Sequence, residues 1–340
     1  MVGMRRGTHG RSPRGRGTRE GRTHGARGAA LVTVAAAVAL AAGCTAGPGG
    51  KDNGRAPEPE RSHTSAPAST GPVLAVKVDN APEARPQTGL DAADVVYAEP
   101  VEGGLSRLMA LYATRLPEEV GPVRSARESD LELLRQFDRP TLAFSGAQSK
   151  LLPLIGKAPL RAVTPGDAPG AYVRDDGRQA PHNLYLHPGE LPAEPAGAKA
   201  LTTGFTFGEA PEGGRTESSR TVRYPATSFT FTWSESRDRW LVSLDGSPAD
   251  GADGERPAPA TVVVQHVTVR DSAFRDFRGS NSPYVESVGS GRAEVLRDGR
   301  TYDATWTRGS AADGTTFTTR DGAALNFAAG QVWVVFAGGS

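Results

Sequence analysis

The chain has 340 residues, 39 Lys and Arg against 38 Asp and Glu, six histidines and a single cysteine. One cysteine excludes an intramolecular disulfide and any cysteine-built zinc or redox cluster. The length exceeds one typical domain, and the near-neutral total conceals a strong segregation of charge along the chain.

Eight arginines and one acid fall in the first 28 residues, before the apolar run "AALVTVAAAVALAAGC" that ends at Cys44. A basic start, a short apolar core and small residues before a cut site make a secretory signal, and the apolar run is too short for a comfortable membrane span. "ALAAGC" matches the lipobox cut by bacterial lipoprotein signal peptidase, after which the cysteine is diacylated. This predicts a signal peptide over 1–43, lipidation at Cys44, and a chain anchored to the outer face of the bacterial cytoplasmic membrane. An ordinary cleaved signal or an uncleaved anchor is the alternative. Cleavage leaves 31 basic and 37 acidic residues, a net charge of −6. That argues against nucleic acid as a partner.

Residues 44–71, rich in Pro, Gly, Ser and charge, cannot bury a core and read as a flexible tether. A first domain is expected over 72–207. It begins with a strand, "VLAVKVDN" (73–80), and continues with strands at 93–102 and 105–114 joined across Gly103-Gly104 as a hairpin. "SARESDLELLRQFD" (125–138) predicts a helix with Leu131, Leu134 and Phe137 on one face, started by Ser125 as N-cap with Glu128 three residues on. A short strand at 140–146 and a proline-interrupted helix at 149–156 follow. The stretch "GEAPEGGRTESSR" (208–220) reads as a junction. The second domain, 221–338, is strand-rich, with period-2 runs at 228–234, 239–244, 260–270, 292–308 and 314–336. Asp245-Gly246, Asp298-Gly299 and Asp321-Gly322 are hairpin signals, and Phe317, Leu325, Phe327, Trp333 and Val335 are its expected core. The fold class is therefore α+β: an α/β-type N-terminal domain with a mixed sheet, then a β-rich C-terminal domain.

The stretches "VDNAPEARPQTGLDAADVVYAEPVEGGLSRLMALY", "GPVRSAR", "APHNLYL" and "DGTTFTTRDGAALNFAAGQVWVV" together resemble the YerB-like lipoprotein family, over roughly 72–338. The resemblance implies an extracytoplasmic lipoprotein with paired N-terminal and C-terminal domains of unknown function. It implies no established activity.

Several constellations are candidates for chemistry. Arg124 and Arg127 in "GPVRSAR" lie at the expected helix start, where a helix end disfavours cations, so an anion is one way to compensate them. The other is neutralisation by Glu128, Asp130, Glu99, Glu102 or Asp94. Arg107 sits on an apolar strand face and must be paired, with Glu99 across the hairpin a candidate partner, or equally reach water at an edge. Asp79-Asn80 ends a strand, where α/β sheets bind ligands, but also where Asx-turns form. Glu99 and Glu102 suggest a glycosidase pair only if Pro100 bends the strand. His182 in "PHNLY" is a candidate general base or anion contact, or a loop histidine bonded to backbone. His182, His187 and His266 lack zinc spacing, and no metal or cofactor is indicated. The expected ligand set is Arg107, Arg124, Arg127, Asp79, Asn80, Glu102 and His182, facing an anionic cell-wall precursor or polymer bearing phosphate or carboxylate. An envelope glycan hydrolase or transferase, and a non-catalytic assembly factor with an envelope protein partner, are the alternatives.

Overall fold

The computed structural model describes residues 72–192, 195–252, 254–275 and 279–338. The predicted signal peptide, Cys44 and the tether lie outside the described residues. The described residues belong to one compact unit.

The first three strands are β1 (Leu74–Asp79), β2 (Val95–Pro100) and β3 (Ser106–Tyr112), each buried almost throughout. Burial on both faces explains their nearly unbroken apolar sequences. The antiparallel β2–β3 hairpin turns through Gly103 and Gly104, both at positive φ. A Cβ on Gly104 would lie 2.6 Å from Pro225 Cβ, so glycine is required there. The chain continues through α1 (Glu128–Leu134), β4 (Thr141–Ala143), α2 (Leu152–Ile155), β5 (Arg161–Val163) and the small hairpin of β6 (Tyr172–Arg174) with β7 (Leu184–Leu186).

After β8 (Arg215–Thr216), four strands form a separate sheet: β9 (Ser219–Arg223), β10 (Ser228–Ser234), β11 (Arg239–Leu244) and β12 (Ser247–Pro248). Then come β13 (Thr261–Val267), the β14 (Val269–Arg275) and β15 (Asn281–Val285) ribbon, β16 (Gly289–Arg297), β17 (Arg300–Arg308), β18 (Thr316–Thr318) and β19 (Val332–Gly338).

The main sheet has eleven strands in the order β18-β17-β16-β13-β19-β2-β3-β1-β4-β5, with β8 on β17. The last strand in sequence, β19, lies between β13 and β2 and runs parallel to both, placing Val334 opposite Val263 on one side and Tyr97 on the other. Strands from 72–207 and from 221–338 thus share one hydrogen-bonded sheet. On one face the four-stranded sheet packs Phe229, Phe231, Trp240 and Val242 against Val76, Val96 and Trp333. Phe229 and Phe231 meet the Trp333 ring edge-on at 6.3 and 5.9 Å. On the other face, Leu133 and Leu134 of α1 join Ala75, Leu111 and Val263.

The protein is therefore mostly β with a mixed sheet and few helices, so the expected α+β description holds only in part. One sheet face is covered by strands rather than helices, because β9–β12 carry period-2 apolar faces of their own. The helix expected over 125–138 has only seven residues, and its N-cap is Arg127 rather than Ser125. The Asp130 carboxylate accepts the Arg127 backbone N–H at 2.7 Å and sets the start. Residues 124–126 are extended instead, with the Ala126 N–H on Gly146 O and the Ser145 N–H on Arg124 O, both at 3.0 Å. Within 314–336 only β18 and the start of β19 are strand; Leu325 and Phe327 are buried from irregular backbone. Asp245-Gly246 and Asp298-Gly299 close two-residue hairpins with positive φ at both positions, whereas Asp321-Gly322 turns beneath a single Thr318–Ala324 bridge.

Candidate anion site

At one end of the sheet Asp79 of β1, Arg107 of β3 and Glu99 of β2 stand directly opposite one another, on the face that carries α1. Directly opposed residues share a face, as do residues two apart, so Lys77, Met109 and Tyr97 form the next row inward. Lys77 is fully buried, and its Nζ donates to Glu99 Oε2 and Asp130 Oδ1, each at 2.7 Å. One ammonium thus serves two carboxylates. Burial pushes the Glu99 carboxyl up to about 8; Lys77 opposes this and Asp130 adds to it. Glu99 Oε1 is buried without a hydrogen-bond partner. The Arg107–Glu99 pair expected from sequence does not form, because Lys77 takes the Glu99 carboxylate. The sequence reading does not reach Lys77, and it names Asp130 only as a partner for Arg124 and Arg127. The available signal was a lysine inside the apolar strand "LAVKVD".

"GPVRSAR" is an extended strap between β1 and β7. The Asp79 N–H donates to Pro122 O at 2.9 Å, the Arg124 N–H donates to Lys77 O at 2.7 Å, and the Val123 N–H donates to Leu184 O. A Cβ on Gly121 would lie 2.6 Å from the Tyr185 ring, which explains the glycine. This pairing sets Arg124 and His182 over the end of β1. Asp79 Oδ2 lies 2.8 Å from both Arg124 Nε and His182 Nδ1, and Oδ1 accepts the Ala81 N–H at 3.2 Å in an Asx-turn. The Arg124 contact is an ion pair whose Nε–H is not directed along the contact, since that buried N–H makes no hydrogen bond.

Arg127 grips Glu102 through Nε and Nη2, both at 2.7 Å, and the Ser282 hydroxyl also donates to Glu102. Burial works to raise the Glu102 carboxyl, but Arg127 and Ser282 outweigh it and hold it below the usual carboxylate value. Glu99 and Glu102 therefore face different cations, and the paired-carboxylate geometry of a glycosidase does not arise.

Arg107 is the exception among these cations. It is 8% exposed, its hydrogen bond is from Nη1 to Ser125 O at 3.0 Å, and no carboxylate lies within ion-pair distance among the described residues. Burial pushes its guanidinium down to about 9, Arg127 and Arg124 push the same way, and Glu102 and Asp79 oppose. It remains cationic at neutral pH.

The other sequence candidates are engaged within the fold. Asn80 is fully buried, donating to Ser106 Oγ at 2.8 Å and accepting from Gln87 and Arg85. Asn183, beside His182, accepts from Arg174 and donates to two backbone carbonyls. His187 and His266 lie apart from the site, each 3.6 Å from a different glutamate. Three cavities lie elsewhere: about 640 Å³ beside Asp91, Arg115 and His187, about 460 Å³ beside Arg85 and Asp245, and about 520 Å³ beside Arg135, Leu154 and Lys157. None of these three is lined by Arg107, Arg124 or Arg127.

A β-rich protein with one mixed sheet built from two sequence segments, and a cation-rich cluster at the end of its first strands, is the class that fold and site define. The chain belongs to the family described as protein of unknown function DUF3048: residues 59–201 match its N-terminal domain and 220–334 its C-terminal domain. It is 26% identical over 273 residues to the Bacillus subtilis (strain 168) protein named "Putative lipoprotein YerB", covering 77% of this chain and 80% of that protein. The crystal structure of YerB protein from Bacillus subtilis shares the fold, with a TM-score of 0.64 at 21% identity over 80% of this chain and 93% of that one.

Proposed function

We propose that this chain is an extracytoplasmic, membrane-anchored lipoprotein that binds an anionic envelope ligand, bearing phosphate or carboxylate, at Arg107, Arg124 and Arg127. The anchor rests on the lipobox at Cys44 and on the name of the Bacillus relative. The observation that carries the ligand reading is Arg107: a buried guanidinium, beside two others, without a carboxylate of its own. Burying a charge is costly unless it is paired, and an incoming oxyanion would supply the missing partner through charge-assisted hydrogen bonds. Arg124 and Arg127 are held by Asp79 and Glu102 and would orient the anion rather than be neutralised by it alone. Cell-wall intermediates carrying diphosphate or carboxylate are the anions of that location.

The test is thermal melting of residues 45–340 against phosphate, pyrophosphate, citrate and wall-precursor headgroups, beside Arg107→Lys and Arg124→Ala. A ligand at a hundred times its Kd stabilises by about 2.7 kcal/mol, and the variants should lose that gain while remaining folded. No shift with any anion would reject the reading.

The Asp79–His182 contact favours a second reading, hydrolase chemistry with the imidazole as a carboxylate-oriented general base. Turnover of envelope glycans that tracks His182 ionisation, and is lost in His182→Gln, would mark that case.

A further inference from the structure

Two of the four large apolar side chains most open to solvent among the described residues, Leu152 at 45% and Leu154 at 42%, sit on the four-residue α2 with Pro153 between them. Along the chain this exposed Leu-Pro-Leu tip lies in a stretch dominated by cations. Lys150 and Lys157 flank it in sequence, and Arg135 lines the same 520 Å³ cavity as Leu154 and Lys157. The Arg161 N–H donates to Pro140 O at 2.8 Å, which brings Arg139 beside the end of the same segment. All five cations are exposed, and none makes an ion pair among the described residues. Asp138 is the only acid in 135–161, so this stretch is +4 in a chain expected to be −6 after cleavage. The cavity's two glutamates belong to α1 rather than to this stretch, and Glu128 accepts from Ser272 while Glu132 accepts from Tyr284 and Ser287.

We propose that α2 and its ring of unpaired cations form a docking surface for an anionic lipid bilayer, with Leu152 and Leu154 entering the headgroup–acyl boundary. Exposed leucines framed by Lys and Arg are the side-chain pairing that interfacial binding uses: apolar groups reach the acyl boundary while cations meet anionic headgroups. The rest of the acidic chain is repelled by such a surface, so this patch would select one orientation of the domain. The proposal takes its membrane from the anchored location proposed above, but not its geometry from the arginine site, and the two fail separately.

The experiment is co-sedimentation of unlipidated residues 45–340 with vesicles of equimolar phosphatidylglycerol and phosphatidylcholine, or of phosphatidylcholine alone, at about 0.1 M salt, where the Debye length is about 10 Å. The expected result is binding to the anionic vesicles only. It should fall at least tenfold in Lys150→Glu/Lys157→Glu and several-fold in Leu152→Ser/Leu154→Ser, with melting temperatures unchanged because all four residues are exposed. No binding to anionic vesicles overturns the proposal. So does binding that neither double variant weakens. Loss on charge reversal with full retention in the leucine variant also overturns it, since no side chain would then enter the bilayer and an acidic protein partner would fit better. Because the protein carries no lipid, failure at Cys44 leaves this result unaffected.

Discussion

Replacing Lys77 with Met keeps most of the side chain's length and apolar volume and removes the one charge between Glu99 Oε2 and Asp130 Oδ1, each 2.7 Å from it. All three side chains are essentially without solvent contact, so the high-dielectric screening that makes surface pairs nearly neutral does not apply. Removing one partner of a buried pair costs roughly 3–5 kcal/mol, mostly because the other charge is left unpaired. At about 2–4 °C per kcal/mol for a domain of 150–250 residues, the melting temperature should fall by roughly 6–20 °C. The pH dependence carries the same logic. Without the ammonium, the Glu99 carboxyl loses the charge that opposes its rise on burial, so its folded pKa moves further above the unfolded one. Such a group supports stability below its unfolded pKa and loses that support as pH rises. The deficit should therefore be small near pH 5 and largest near pH 8. Lys77→Met/Glu99→Gln/Asp130→Asn should recover at least half of it, because neutral amides need no counter-charge. The assay is thermal unfolding by circular dichroism at pH 5, 7 and 8. A loss below about 1 kcal/mol at pH 8, or one that is the same at all three pH values, would refute a buried ammonium that supports the two carboxyl groups.

Wild-type stability should itself decline between pH 5 and 8. The Glu99 carboxyl, raised from 4.5 to about 8 chiefly by burial, is protonated in the folded state and ionised in the unfolded state across that window, with a slope of up to about 1.4 kcal/mol per pH unit. Glu99→Gln should flatten the profile, and a profile unchanged by that substitution would contradict the assignment. Trp333→Ala should cost roughly 3–5 kcal/mol, since this fully buried ring joins β19 to Phe229 and Phe231 of the four-stranded sheet. Because β19 pairs with both β13 and β2, calorimetry should show one transition for 72–338; two separable transitions would contradict a shared sheet.

Much of the local architecture was legible along the chain. The strands at 74–79, 95–100 and 106–112, the β2–β3 hairpin and the turns at 245–246 and 298–299 follow from side-chain alternation and from Asp-Gly turn chemistry. These are short-range effects, settled within a few residues. The family stretches were likewise readable without coordinates.

The site depended on long-range pairing. Arg107 and Glu99 do stand opposite each other, but Glu99 is claimed by Lys77, which a third strand places on the same face one row inward. Ser125 with Glu128 had the letters of a capping box, but the backbone around Ser125 was taken into extended pairing with 145–146, and Asp130 set the helix start instead. Only folding placed the last strand between β13 and β2, joining two sequence segments into one sheet. Propensity and turn chemistry act between chain neighbours, whereas strand order, and the choice of which cation a buried carboxylate keeps, are decided by desolvation among residues the chain separates by dozens of positions.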